Sequence, residues 1–165
     1  MLIVFLIILI VAVTMFAEAR ISRAHEQQLR AAGAFEPAGD VYAVMHIAYP
    51  AGFLLMAIEA GVRHRTSAWL LPGAIIFVLA KVLKWWAMAS LGTRWTFRVL
   101  VLPNAALVHR GPYRLLRHPN YVAVLGEIVS VAMMLGVPWT GTAACLGFGS
   151  LLWMRIQVEE RALSR

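Results

Sequence analysis

The first seventeen residues, Met1–Ala17, carry no charged side chain, and three further stretches of the chain are nearly as apolar. Such runs constrain a fold more than any motif does. A helix satisfies its own backbone polar groups, and about 20 mostly apolar residues are enough to cross the hydrocarbon of a bilayer. Val41–Ala60 is apolar apart from Glu59 and a few Tyr and His, and Ala68–Leu91 is long enough although Lys81 and Lys84 interrupt its second half. Tyr121–Met154 is broken at Gly136-Val137-Pro138-Trp139. Proline beside glycine ends a helix, so this stretch reads as two short spans. The prediction is an all-α integral membrane protein of one domain with five transmembrane helices, at 1–17, 41–60, 68–91, 121–136 and 139–154, the last two a tight helical hairpin.

Composition agrees. Apolar residues make up 61% of the 165-residue chain and charged ones 14%, against about 45–50% and about 25% in soluble domains. An ordinary cytosolic protein and a disordered one are excluded, and the lone Cys145 excludes a disulfide scaffold. A net charge of +7 fits basic loops facing anionic lipid better than nucleic acid in so apolar a chain. No basic residue precedes the first apolar run, as a signal peptide requires, so that run reads as a retained anchor. Eleven arginines fall in segments 18–40, 92–120 and 155–165, and two, Arg63 and Arg65, fall in the opposite loops. The positive-inside rule then puts the N-terminus outside, and the C-terminus with all three sizeable polar segments in the cytoplasm.

None of these segments is long enough for a dinucleotide-binding domain, which needs about 30 residues for one βαβ unit. Gly147-Phe148-Gly149 lies inside an apolar span and reads as close helix packing. Gly126 and Ser130, with Ala143 and Gly147, have the small-xxx-small spacing that would bring the two hairpin helices together. Residues 18–34 read as a solvated or interfacial helix continuing from the first span and stopping at Gly33. Lys81 and Lys84 read as snorkelling to the interface, whereas Glu127, a carboxylate inside a span, faces the bundle interior as a possible pocket residue. His25, His46, His64, His109 and His118 have no metal-ligand spacing, so no metal is expected.

The densest polar segment is 92–120. Arg98–Leu102 and Ala106–His109 read as short β-type runs around the turn signal Pro103-Asn104. Gly111-Pro112-Tyr113-Arg114 and Arg117-His118-Pro119-Asn120-Tyr121 follow, where two prolines hold the backbone irregular and leave N–H and C=O groups open to a polar ligand. In the tail, Arg155-x-x-x-Glu159-Glu160 places Arg155 and Glu159 on one helix face where the last span leaves the lipid.

Together with Leu107-Val108 upstream and Leu163 downstream, these blocks at hairpin distance resemble the isoprenylcysteine carboxyl methyltransferase family, in the manner of its short bacterial members, over roughly the C-terminal 75 residues. The resemblance implies S-adenosyl-L-methionine as cofactor, contacted by Ala105, Ala106, Leu107, Val108, Tyr113, His118, Pro119, Asn120, Tyr121, Glu159 and Glu160. It implies Arg155 and Glu159 as the catalytic pair, with Arg155 toward the methyl acceptor. The acceptor class is lipophilic, either the carboxylate of an isoprenylcysteine-like compound or the hydroxyl of an alkyl phenol or pyrone, reaching the site from the bilayer. Two other classes fit the pattern: a membrane reductase binding a nicotinamide dinucleotide phosphate in the basic loop, and a non-catalytic transporter or assembly protein. Transporters spread ionisable residues through the midplane, whereas here they cluster at one surface.

Overall fold

The computed structural model describes residues 1–63, 67–103, 105 and 108–163. Five helices carry the chain: α1 (Leu2–Ala31), α2 (Tyr42–Arg63), α3 (Leu70–Leu91), α4 (Pro119–Leu135) and α5 (Pro138–Leu163), with 3₁₀ turns at Gly92–Arg94 and Gly111–Arg114. Neither proline nor glycine interrupts residues 2–31, so α1 runs unbroken through the apolar segment and the polar one behind it. It stops where Gly33 takes φ 88°, a conformation costly for any residue with a Cβ. Helices α1, α2 and α3 with its 3₁₀ extension are each long and apolar enough to cross a membrane, and α4 is a shorter apolar helix. The hairpin break lies where expected. Gly136 caps α4 in the left-handed region, the Val137 N–H returns to the Ala132 carbonyl, and α5 begins at Pro138, where a missing N–H costs nothing. Glu59 of α2 supplies the cap that Pro138 and Trp139 lack, accepting hydrogen bonds from Thr140 N (2.8 Å) and Thr140 Oγ1 (2.7 Å).

Four sequence expectations are corrected. The small-xxx-small residues of the hairpin do not face each other. A Cβ on Gly126 would meet Ala80 of α3 at 3.1 Å, and Gly147 has nothing within 4 Å. The close approach within the hairpin is Gly141 against Ala132, because α4 turns its small residues toward α3. There Gly73 lies against the α4 backbone, and a Cβ on it would stand 2.8 Å from the Ser130 carbonyl oxygen and 2.9 Å from Met134 N. Gly73→Ala should therefore push α3 from α4 and cost about 1–3 kcal/mol, as overpacking does. A lowered unfolding midpoint in detergent checks this, and a wild-type midpoint would refute it.

The β-type runs form no strand among the described residues. Val101 instead makes an isolated antiparallel bridge with Phe35 of the α1–α2 loop, with N–H to carbonyl distances of 2.9 and 3.1 Å. A lone two-stranded hairpin is marginal in water, whereas the Phe35 pairing is anchored by Arg98 Nη1 donating to Glu36 Oε1 at 2.8 Å. Burial by itself would raise the Glu36 carboxyl, yet hydrogen bonds from Arg98 and Arg30 hold it below the usual carboxylate range.

The segment 18–34 is not merely solvated, since Glu18 and Ser22 are both buried. Nor do Lys81 and Lys84 snorkel. Each turns inward to Glu18 of α1 and Glu127 of α4, because two buried carboxylates hold an ammonium better than the interface does. Glu127 faces the interior as expected, wholly buried.

Candidate active site

Pro119 occupies the first turn of α4, which brings Asn120 and Tyr121 to the helix start beside the end of α5. Tyr121 Oη donates to Glu159 Oε2 at 2.8 Å and accepts from Arg155 Nε at 2.9 Å. Arg155 and Glu159 thus share a helix face, but the phenol of Tyr121 links them. The His118 ring stacks on that of Tyr121, with centroids 5.3 Å apart and planes 9° from parallel. Its Nδ1 lies 3.8 Å from Glu159 Oε2 and its Nε2 lies 3.9 Å from Glu160 Oε1. Arg117 Nη1 stands 3.6 Å from Glu160. Burial, with the neighbouring Glu159 charge, pushes the Tyr113 phenol above its ordinary range, so Tyr113 stays protonated and available as a donor at neutral pH.

The two blocks singled out in the sequence therefore converge. Tyr113, His118, Tyr121, Glu159, Glu160 and Arg155 meet at one end of the bundle. Pro119 acts through backbone geometry, and Asn120 is held by Trp95 Nε1 donating to its Oδ1 at 3.2 Å. Ala105 closes a turn onto the Leu102 carbonyl at 3.3 Å, but among the described residues the contacts joining Tyr121, Arg155 and Glu159 do not reach Ala105 or Val108. Ala106 and Leu107 lie outside the described residues.

The strap 111–121 is seated by Gly111, whose φ is 60° and whose missing Cβ leaves room for the Ser90 side chain and for Trp86 Nε1 at 3.1 Å. Arg110 Nε bonds the Ser90 carbonyl at 2.7 Å beside it. Both the backbone and the packing oppose a side chain at this position. Gly111→Ala should lower stability by about 1–3 kcal/mol, read as a drop in melting temperature, and an unchanged melt would remove this account of the seat.

Sequence reasoning missed Asp40. It is a single acidic residue ahead of α2, with nothing in its local pattern to mark it. Its Oδ2 accepts from Val99 N at 3.0 Å, and its Oδ1 accepts from Tyr42 N at 3.2 Å and lies 3.5 Å from Arg155 Nη1. It fixes Arg155 from the side opposite Tyr121. Arg155 is 5% exposed, yet its guanidinium carries five N–H donors, more than these partners use. Glu159 and Glu160 keep 31% and 47% of their side chains exposed and have accepting capacity to spare.

Arg155, Tyr121 and Asn120 form one wall of a cavity of about 220 Å³ that Glu18 and Lys84 line from α1 and α3. A second, apolar hollow of about 500 Å³ lies between α2 and α5. Tyr49 and Phe148 line both, their rings 5.0 Å apart. A polar chamber and an oily groove therefore share one aromatic partition.

Residues 73–165, which contain Tyr113, His118, Tyr121, Arg155, Glu159 and Glu160, match the isoprenylcysteine carboxyl methyltransferase (ICMT) family. The chain belongs to that family. Among its relatives is YpbQ of Bacillus subtilis (strain 168), described as an uncharacterized protein, 32% identical over 162 residues that cover 96% of this chain and 95% of YpbQ. A protein of Haemophilus influenzae with the same description is 24% identical over 151 residues, covering 90% of this chain and 88% of that one. No solved structure matches the chain. ICMT membership and three helices of membrane-crossing length make this an integral membrane protein of methyltransferase type.

Proposed function

We propose that this ICMT-family protein is an S-adenosylmethionine-dependent O-methyltransferase that works at the membrane on a lipophilic acceptor. The observation that carries the reading is the Arg155–Tyr121–Glu159 chain of hydrogen bonds at the wall of a cavity that shares an aromatic partition with an apolar groove. The residues present suit the cofactor's chemistry. Glu159 and Glu160 are half-exposed carboxylates able to take its ammonium group, and the stacked His118 and Tyr121 rings beside Tyr113 offer aromatic surface to a flat base. When bound, the cofactor supplies an electrophilic methyl group on a sulfonium sulfur.

The chain's own part is positioning, which can account for much of the rate of a bimolecular displacement. Arg155, locked by Asp40 and Tyr121, presents its remaining N–H donors to the acceptor oxygen. A carboxylate arrives ionised and needs only this orientation. A phenol, with a pKa of about 10, must first release its proton to water, and the adjacent guanidinium favours the phenolate that then takes the methyl group. His118, stacked on Tyr121 and close to both glutamates, orients the carboxylates. The apolar groove between α2 and α5 receives the acceptor's tail from the lipid, while the polar segments face the cytoplasm under the five-span topology with the N-terminus outside. The acceptor is accordingly a prenyl-cysteine-like carboxylate or a hydroxylated aromatic with an alkyl chain.

Calorimetric titration of detergent-purified protein with S-adenosylhomocysteine, and incubation of membranes with labelled methyl donor, test this. Saturable binding and a labelled, lipid-extractable product identified by mass are expected. Absence of both would overturn it.

A further inference from the structure

Four charged side chains from three helices meet beneath the cavity. Lys81 Nζ lies 2.9 Å from Glu18 Oε1 and 3.0 Å from Glu127 Oε2, and Lys84 Nζ lies 2.6 Å from Glu18 Oε2 and 3.1 Å from Glu127 Oε1. Each ammonium bridges the same two carboxylates, so the quartet carries no net charge. Tyr49 of α2 adds a hydrogen bond to Glu127 Oε2 at 2.6 Å. Glu18, Lys84 and Glu127 are at most 2% exposed. Stability does not explain such a cluster, because buried ion networks commonly give way to apolar residues without loss. Ionisable groups inside a membrane bundle instead mark a functional path.

Two of the four, Glu18 and Lys84, belong to the cavity wall together with Arg155 and Tyr121. An ammonium has three donors, and Lys84 lies within ion-pair distance of two carboxylates, those of Glu18 and Glu127. Its neighbours cancel its charge without removing the third donor. A bare lysine here would repel a sulfonium held nearby, whereas a lysine in a neutral quartet donates a hydrogen bond and leaves the local potential near zero. The cavity's size adds a second constraint. An apolar cavity of about 150 Å³ takes up benzene, so this one, at about 220 Å³, accommodates a single ring with polar substituents and leaves a long tail to the groove beyond Tyr49 and Phe148.

We propose that Lys84, held in the Glu18–Lys81–Glu127 quartet, is a specificity-determining residue that hydrogen-bonds a second oxygen on the acceptor's single-ring head while the oxygen to be methylated lies at Arg155. This rests on the methyltransferase reading above. It is tested with two acceptors of equal tail length, a 3-alkylphenol and the 5-alkylresorcinol that differs from it by one ring hydroxyl. Wild-type protein in nanodiscs should use the two-oxygen compound with at least about tenfold higher kcat/KM. The double variant Lys84→Met with Glu18→Gln keeps the charge count balanced. It should reduce that preference to near unity while leaving S-adenosylhomocysteine affinity within about twofold of wild type. Lys84→Arg, which retains a donor, should keep a preference. Equal use of both compounds by the wild type, or an undiminished preference in the double variant, overturns the proposal. So does turnover of neither compound by protein that binds S-adenosylhomocysteine. If the double variant does not fold, the wild-type ratio decides the matter alone. Failure of the wild type to bind S-adenosylhomocysteine would instead sink the methyltransferase reading itself.

Discussion

Arg155→Ala is expected to lower methyl transfer by about 10²–10³-fold, the usual cost of removing one preorganised donor from a reacting oxygen, while affinity for S-adenosylhomocysteine stays close to wild type. The reason is geometric. Arg155 is buried, with Nε on Tyr121 Oη at 2.9 Å and Nη1 3.5 Å from Asp40. Its free N–H groups are thus held in one plane before any acceptor arrives. Alanine also leaves the Asp40 carboxylate buried without its cation, so the variant loses stability as well, and a melt must accompany the kinetics. Arg155→Lys separates the two effects. It restores a positive charge opposite Asp40 but replaces a planar fork with a point charge, so stability should recover while turnover remains low. Wild-type rates in both variants would remove Arg155 from the acceptor site. In Glu159→Ala the loss should appear the other way round, in cofactor affinity first, because Glu159 faces His118 and Tyr113 rather than the cavity.

The second large effect is structural. Glu127→Leu leaves Lys81 and Lys84 with Glu18 alone, and breaking a buried ion network by removing one partner costs about 3–5 kcal/mol. Glu127 is wholly buried and accepts from Tyr49 and Lys81. Its Oε1 lies within ion-pair distance of Lys84 although no donor is aligned on it as a hydrogen bond. The protein should unfold at a much lower denaturant concentration. Adding Lys81→Met restores equal numbers of positive and negative groups and should recover most of the loss. A single variant as stable as the wild type would show that the four charges are solvated in a way their burial does not convey.

Much of the architecture was legible because it follows from one-dimensional signals. The apolar runs located all five helices, Gly136 and Pro138 marked the hairpin, and Gly33 marked the end of α1. Paired motifs at hairpin distance singled out Tyr113, His118, Tyr121, Arg155 and Glu159, which the fold brings together at one end of the bundle. What failed to show depends on which way a helix faces. Lys81 and Lys84 had an adequate explanation at the interface, and only the rotation of α3 toward α1 and α4 pairs them with Glu18 and Glu127. Gly126 matched a partner on α5 by spacing, yet α4 presents it to Ala80 of α3.

Apolar runs alone were enough to specify a bundle of apolar helices, three of them long enough to cross a membrane, with two polar motifs beside them, since backbone hydrogen bonding in lipid admits few other solutions. Tertiary structure alone decided which buried charges meet. Asp40 reaches Arg155 across 115 residues, and Tyr49 reaches Glu127 across 78. Ion pairing is selected by where helices pack in space, and packing depends on every face of the bundle at once rather than on any local pattern.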